Sequence, residues 1–295
     1  MRKYALLNVV LSSILAVAAS AQELPSVHWF SEIPPDTPIP AADRVWTTGA
    51  PAPVAPFDFV AAAAASPKVN LVYLVPSDKQ VKQNYATAMD AAVRSLIRWY
   101  AGQTTNHKTF GASSPTVMVV SLPHNSSFYA NNPRPAIFTQ FWDNVLGDAL
   151  PLTGGRFNDP QNTWAFYIDA DPICNECGGC GTSGILLVSA NDLRGLAGET
   201  AAFTDPCTSN RPYPYPPPRW IGGLGHELGH AFGLPHPPGC DDGNTAVHCD
   251  TNALMWTGYA SYPNTFLRDD NRAVLLNSPF FIFAAPPDRV RSVRH

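Results

Sequence analysis

A histidine pattern in the second half of the chain constrains the fold more than any other feature. His226 and His230 are four residues apart, so a helix places both imidazoles on one face, where they can reach a single metal ion. Glu227 lies about 100° around the helix from His226, beside the expected ion. Gly233 stands where the helix would end, because glycine accepts the left-handed conformation, and the turn after it can bring His236 round as a third ligand. The pattern therefore predicts a helix that ends at a three-histidine metal site.

Such a ligand set indicates catalysis rather than structural support. Three histidines leave the fourth tetrahedral position of a zinc ion for water. Zinc lowers the pKa of that water towards about 7, and Glu227 can accept its proton during attack on a carbonyl group. The residues predict a zinc hydrolase with Glu227 as the general base and His226, His230 and His236 as the ligands. The other histidines show no comparable spacing; they are His28, His107, His124, His248 and His295.

The segment from His226 to His236 has the form HExxHxxGxxH, and Met255 follows it within Asn252-Ala253-Leu254-Met255-Trp256. This combination resembles the metzincin clan of zinc endopeptidases, without indicating a subfamily. The resemblance implies an α+β fold, in which an upper subdomain holds a twisted mixed sheet, two helices and the zinc helix. A smaller lower subdomain would hold Met255 and a last helix. It also implies that Met255 forms an apolar floor beneath the zinc histidines without binding the ion.

Comparison with the metzincin pattern concerns three more features: the substrate strand, the pro-segment and the position of Tyr259. In metzincins the strand before the zinc helix is an antiparallel edge to which an extended peptide adds, and residues 184–189 are the matching segment. No cysteine precedes the catalytic region, which argues against a cysteine-switch pro-segment. Tyr259 follows Met255 by four residues, whereas subfamilies with a tyrosine near the zinc place it two residues after the methionine. Tyr259 is therefore not expected to be a ligand.

Hydrophobic patterns predict strands that alternate with helices, which is typical of a mixed α/β sheet. The zinc helix contains four glycines, each of which costs up to about 1 kcal/mol of helix propensity relative to alanine, so tertiary contacts must hold it. The predicted strands are 70–75, 116–122, 164–169 and 184–189, and the predicted helices are 78–101, 135–150, 219–232 and 268–276.

The first part of the chain predicts export. Residues 1–21 combine a positive start, a short apolar run and small residues before Gln22, as in a cleaved signal peptide. Residues 22–68 are rich in proline and alanine, which favours an N-terminal extension or pro-segment. The catalytic domain is expected at 69–295, with its upper subdomain at 69–236 and its lower one at 237–295.

Charge and hydropathy limit the partners. Removal of Arg2 and Lys3 with the signal peptide would leave a net charge of about −6, and no basic stripe suggests nucleic acid. No later apolar run is long enough to cross a membrane. We therefore expect a secreted monomer that acts on a protein or peptide.

Six cysteines in an exported chain favour three disulfides. Cys240 and Cys249 are expected to pair just after the zinc motif. Cys207 is expected to pair within an upstream trio, whose CxxC spacing leaves a second metal or redox cluster as an alternative. The trio consists of Cys174, Cys177 and Cys180.

Alternatives to this interpretation stay open. Asp241-Asp242 with Asn244 suggests calcium, but the segment lacks EF-hand spacing, so a solvated turn is favoured. A secreted zinc-containing binding protein on the same scaffold is one rival function, and the intact Glu227 argues against it. A zinc hydrolase of non-peptide amides is the other rival.

Overall fold

The computed structural model describes residues 66–131, 138–173, 176–199, 215–240 and 249–283, together with the backbone of residues 28–29. A six-stranded sheet has the order β1-β6-β7-β5-β2-β4, and β3 pairs separately with β8. The strands are β1 (His28–Trp29), β2 (Lys68–Val75), β3 (Lys108–Thr109), β4 (Gly111–Ser121), β5 (Asn162–Ile168), β6 (Gly179–Thr182), β7 (Ile185–Val188) and β8 (Ile282–Phe283).

Helices lie between and after these strands. Among the described residues, none of the helices is both long enough and apolar enough to cross a membrane. The α-helices are α1 (Gln83–Gln103), α2 (Ser126–Asn131), α3 (Gln140–Thr153), α4 (Ala190–Leu196), α5 (Pro217–Ala231) and α6 (Asp269–Leu276), and 3₁₀ helices span Thr105–His107 and Thr257–Ser261.

Strand pairing confirms the mixed sheet. β2 is parallel to β4 and β5, and β5 is parallel to β7, whereas β6 is antiparallel to β7. The expectation that residues 184–189 form the sheet edge is wrong, because β7 lies between β5 and β6. Ser183 and Gly184, both with positive φ, reverse the chain so that β6 adds outside β7. The four residues of β6, Gly-Cys-Gly-Thr, have little intrinsic strand preference, so sequence patterns miss this strand.

The observed element boundaries differ most from those predicted from the sequence where side chains take part in contacts outside their own element. α1 begins at Gln83 rather than residue 78, because the Asp78 carboxylate instead accepts hydrogen bonds from the backbone and hydroxyl of Ser126 at the start of α2. β4 begins at Gly111 rather than residue 116 and includes Pro115, where its register against β2 is irregular. Proline is tolerated there because β4 is an edge strand.

The two faces of the sheet bury different side chains. Leu71 and Tyr73 of β2 point into a core shared with α1, α4 and α5. Val72 and Leu74 alternate with them and pack on the other face against α2 and α3. This alternation follows from the two-residue period of a strand, and it places apolar side chains of one sheet face in the same core as α5.

Glycines of α5 admit two neighbouring segments at close range, the 3₁₀ helix Thr257–Ser261 and α1. The carbonyl oxygen of Tyr259 lies where a side chain at Gly222 would start. A Cβ atom at Gly225 would lie 2.8 Å from the Leu96 side chain of α1, and the Tyr100 hydroxyl donates to the Gly225 carbonyl at 2.7 Å. These contacts explain how a helix of low intrinsic propensity is held in place.

We predict that Gly222→Ala lowers the free energy of unfolding by about 1–3 kcal/mol, because the added methyl group overlaps a backbone oxygen that cannot move freely. Gly147→Ala in α3 is the matched control: a Cβ atom there meets nothing within 4 Å. That variant should gain up to about 1 kcal/mol from helix propensity. Urea titration followed by circular dichroism measures both. Equal stability of the two variants would contradict the packing of α5 described here.

Candidate metal centre

Three buried histidines converge at the end of α5. The Nε2 atom of His230 lies 3.0 Å from that of His226 and 3.1 Å from that of His236. All three side chains are buried, with at most 8% of their surface exposed. Their ligand atoms all lie within 4.8 Å of one another, so the three side chains can hold one metal ion. The residues selected from sequence spacing are thus brought together.

Backbone carbonyl groups set the orientation of two of these rings. The Nδ1 atom of His226 lies 2.8 Å from the Leu254 oxygen, and that of His230 lies 2.8 Å from the Leu234 oxygen. A carbonyl only accepts, so each Nδ1 carries the proton and each Nε2 presents its lone pair. Burial, with a smaller effect from His236, lowers the pKa of His226 to about 3, which keeps that ring neutral. A metal ion requires neutral imidazoles that present an unprotonated nitrogen.

The turn after α5 has the predicted form. Gly233 has a φ of +90°, which glycine adopts without strain. The Gly184 amide, in the β6–β7 turn, donates to the Ala231 carbonyl at 2.9 Å and so ties the helix end to the sheet. His236 then packs against Trp256, with ring centres 5.1 Å apart. The third histidine is therefore fixed by the chain reversal and by the segment that contains Met255.

Met255 lies against the helix beneath the histidines. It is fully buried, and its sulfur atom touches Gly229, the residue before His230, at the place where a Cβ atom would stand. The preceding carbonyl group, that of Leu254, is the one that orients His226. The contact of Met255 with α5 depends on glycine at position 229, and its role as an apolar floor beneath the zinc ligands stays a prediction.

Glu227 is placed beside the histidines with neither carboxylate oxygen hydrogen-bonded to a side chain or backbone group in the described residues. The residue is fully buried. Burial raises its pKa well above the usual value, the Asp192 carboxylate raises it further, and the Arg219 guanidinium opposes the rise. A bound dication would act in the same sense as Arg219. Buried carboxylate oxygens without a hydrogen-bond partner in the described part of the chain, on the helix that carries two of the three histidines, fit a site that works on a polar ligand.

Strand β6 passes directly over the carboxylate. A Cβ atom at Gly181 would lie 2.5 Å from the Glu227 carbonyl oxygen and 3.1 Å from its Oε2 atom. The outer edge of β6 pairs with β1, in the register His28 to Gly181 and Trp29 to Cys180. The strand closest to the proposed base is therefore β6 rather than the segment 184–189 expected from the sequence.

A cleft of about 510 Å³ opens beside His230, at the end of β6. Thr182 and Ser183 lie on one side of it, and Asp159 accepts hydrogen bonds from Arg156 and Asn162 nearby. The apolar part of its lining comes from the end of α5 and from the residues after α6, namely Phe232, Leu234, Pro235 and Phe280. The cleft is the right size for several side chains of an extended ligand.

Sequence reasoning missed two residues near the site, Asp192 of α4 and Arg219 of α5, which are both buried. It considered Tyr259 only as a ligand, whereas the structure packs the Tyr259 ring 5.3 Å from that of His226. No spacing rule identifies Asp192 or Arg219, because they come from separate elements. The only available signal was the presence of charged residues in or near segments predicted to be buried. Tyr259 is close to the histidines, although no evidence makes it a ligand.

Two disulfides stabilise the surroundings of the site. Cys240 and Cys249 are bonded, as predicted, just after His236. Cys177 and Cys180 form a second bond, which removes the paired thiolates that a metal cluster at this CxxC would need. Other predictions fall outside the described residues: the signal peptide, Cys174, Cys207 and the Asp241–Asn244 segment.

The chemistry of the donor set fits zinc. Tetrahedral zinc with nitrogen ligands at 2.0–2.1 Å places those nitrogens about 3.3 Å from one another, close to the spacing found between the Nε2 atoms. Three imidazoles, with no fourth protein ligand among the described residues, are also the pattern of catalytic zinc. His226, His230 and His236 can therefore hold one zinc ion with a position open to substrate.

Several solved structures have a similar chain course. Wild-type OgpA from Akkermansia muciniphila is 17% identical, with a TM-score of 0.47, over 75% of this chain and 63% of that one. The catalytically inactive OgpA in complex with an O-glycopeptide substrate, glycodrosocin, is 16% identical, with a TM-score of 0.45, over 76% of this chain and 63% of that one. Archaemetzincin from Methanopyrus kandleri is 17% identical, with a TM-score of 0.36, over 72% of this chain and 97% of that one.

No protein-family model matches the chain, and no curated protein matches it. The chain spans less than two thirds of the length of OgpA. At these TM-scores the likeness carries no conclusion about activity, so the function of this chain is inferred from its own residues.

We predict that His236→Ala weakens zinc binding by more than the roughly 10- to 100-fold typical of a lost outer-shell partner, because it removes a ligand. Competition with a chromophoric chelator measures the affinity. His124→Ala is the control, because this histidine is exposed and hydrogen-bonds Asp148. Unchanged zinc affinity in His236→Ala would disprove three-histidine ligation.

Proposed function

We propose that the protein is a secreted zinc-dependent endopeptidase. One observation supports this above all: three buried Nε2 atoms converge at the end of α5, the helix that also carries the buried carboxylate of Glu227. A structural zinc site would be closed by a fourth protein ligand, whereas the described residues supply three. Export rests on the signal-like residues 1–21 and on the disulfides, which form in oxidising compartments.

In the proposed reaction, Glu227 transfers the protons. Zinc, when bound, supplies a Lewis acid that polarises the peptide carbonyl and activates water. Glu227 accepts a proton as the water oxygen bonds to the carbonyl carbon, and it returns that proton to the amine nitrogen as the C–N bond breaks. The close cover of β6 over Glu227 keeps bulk water away from the carboxylate, which strengthens its interaction with developing charge.

We place the substrate on the outer edge of β6. Backbone groups of an extended peptide can pair with this edge, and the pairing of β1 there supports the assignment. An antiparallel peptide runs from Thr182 towards Gly179, so its N-terminal residues reach the cleft beside His230. Residues before the scissile bond would then contact the apolar side of that cleft, at Phe232 and Phe280.

The two rival functions make different demands on the site. A binding protein that retains the metal has no need for an ionisable group beside it, yet Glu227 is buried there at an energetic cost. A hydrolase of small amides has no need for a strand edge, yet β6 presents one within contact of the base. Both features favour an endopeptidase.

We predict that Glu227→Gln lowers kcat by at least about a hundredfold while zinc stays near one equivalent, because the amide keeps the shape but cannot accept the proton. Cleavage of fluorogenic peptides, unmodified and O-glycosylated, measures kcat, and atomic spectroscopy measures zinc. Glu199→Gln is the matched control, because that carboxylate bonds Asn84 and Tyr85 instead. Full turnover by Glu227→Gln would exclude its role as the base.

We further predict that deletion of residues 22–31 raises kcat/KM, because it removes the β1 segment that pairs with the proposed substrate edge. The deletion ends before the expected catalytic domain, residues 69–295, so it removes no residue of that domain. A synthetic peptide of residues 22–31, added in trans, should inhibit the shortened protein competitively. Lower activity after the deletion, with no inhibition by the peptide, would show that β1 supports the domain rather than covers its edge.

A further inference from the structure

A buried arginine stands on the same helix as the proposed base, about two turns before it. Arg219 is only 6% exposed. Its guanidinium carbon lies 4.2 Å from the centre of the Trp220 ring, 4.9 Å from that of Tyr259 and 5.9 Å from that of Tyr215. A desolvated cation is costly unless other groups stabilise it, and aromatic faces do so. The three rings therefore form a cage that selects a charged, planar group.

One ring of this cage also touches a zinc-site histidine. Tyr259 is 1% exposed, and its ring is 5.3 Å from that of His226 at an interplanar angle of 69°. The 3₁₀ helix that carries Tyr259 packs through its backbone against Gly222 of α5. Tyr259 thus lies beside the guanidinium and the imidazole at once, and it follows the Leu254–Met255 segment that orients His226.

A second charged group belongs to the same interior. Asp192 of α4 is 6% exposed, and one of its carboxylate oxygens has no hydrogen-bond partner in the described residues. Burial raises the pKa of Asp192 to about 7, opposed by the charges of Arg219 and Arg194. The charge of Arg219 therefore acts on α4 as well as on the aromatic cage, so an apolar residue of similar length cannot replace it.

We propose that Arg219 is a positioning residue for the metal centre, whose charge holds Tyr259 against His226 and so fixes the ligand geometry. This inference rests on the proposed zinc site and goes beyond it, because neither residue is a ligand or a proton carrier. Arg219 acts through Tyr259, and Tyr259 acts on the ring of His226. The role requires the cation–π contact, not the volume of either side chain.

Substitutions that separate charge from volume test this role. Arg219→Met keeps length without charge, and Arg219→Lys keeps the charge. Tyr259→Leu removes the ring, and Tyr259→Phe keeps it. A desolvated cation–π contact predicts at least about a tenfold loss of zinc affinity in Arg219→Met and in Tyr259→Leu, with most of it restored in the Lys and Phe variants. Arg94→Met, an exposed arginine paired with Asp90 on α1, is the control that should not change.

Coupling between the two positions gives the decisive readout. If Arg219 acts through Tyr259, the double variant Arg219→Met/Tyr259→Leu should lose no more zinc affinity than either single variant. Chelator competition measures this without peptide hydrolysis, so the result stands even if the proposed activity fails. The cobalt(II) absorption spectrum reports the ligand geometry independently, and kcat should fall while KM stays within about twofold.

The proposal would be overturned if the loss of zinc affinity in the double variant equalled the product of the two single losses. Equal zinc affinity in Arg219→Met and Arg219→Lys would also overturn it. Thermal unfolding of each variant shows whether it is folded. If Arg219→Met does not fold, the comparison of Tyr259→Leu with Tyr259→Phe still decides, because both keep Arg219. A loss of zinc affinity in Tyr259→Phe as large as that in Tyr259→Leu would also exclude the ring contact.

Discussion

The close approach of α5 to its neighbours is the constraint on which the rest of the structure depends. Nearly every residue of this helix from Arg219 onward is buried, although a helix normally exposes one face. Such burial requires close contact on several sides: with the backbone of β6 at Gly181, with the Leu96 side chain of α1 at Gly225, and with the backbone of the 3₁₀ helix after Met255 at Gly222. Glycine leaves room for each of these contacts. The same residues that weaken the helix as an isolated segment therefore allow it to carry a metal site in the interior.

Interior placement gives the site its chemical properties. Carbonyl groups outside α5 orient the imidazole rings of His226 and His230, so few rotamers remain open to these two side chains. Preorganisation of this kind lowers the entropy lost on metal binding, since few side-chain rotamers remain to be fixed. It also places Glu227 in a region of low dielectric constant, where its charge interacts strongly with a neighbouring cation. The packing that buries α5 therefore also determines the orientation of the histidine rings and the electrostatic environment of Glu227.

Sequence alone predicted the parts of the site that lie on one helix and the turn after it. The spacing of His226, His230 and Gly233 is local, and local geometry follows from helical periodicity. Residues 184–189 were misassigned to the sheet edge because β6 is short and glycine-rich, and only the reversal at Ser183–Gly184 places it outside β7. Arg219 and Asp192 were missed, and so was the contact of Tyr259 with His226, since their proximity depends on tertiary packing between α4, α5 and the 3₁₀ helix. A single sequence carries no periodic signal for contacts of that kind.

The balance of charge in the interior explains why both a metal ion and an arginine fit there. Glu227 and Asp192 are both buried, and the Asp192 carboxylate raises the pKa of Glu227. Arg219 opposes that rise, and together with Arg194 it opposes the rise in the pKa of Asp192. A dication at the three histidines would act in the same sense, and by linkage any group that ionises more readily with the ion present also strengthens its binding. An interior that holds these buried acids and three converging histidines is therefore electrostatically suited to a bound divalent metal ion.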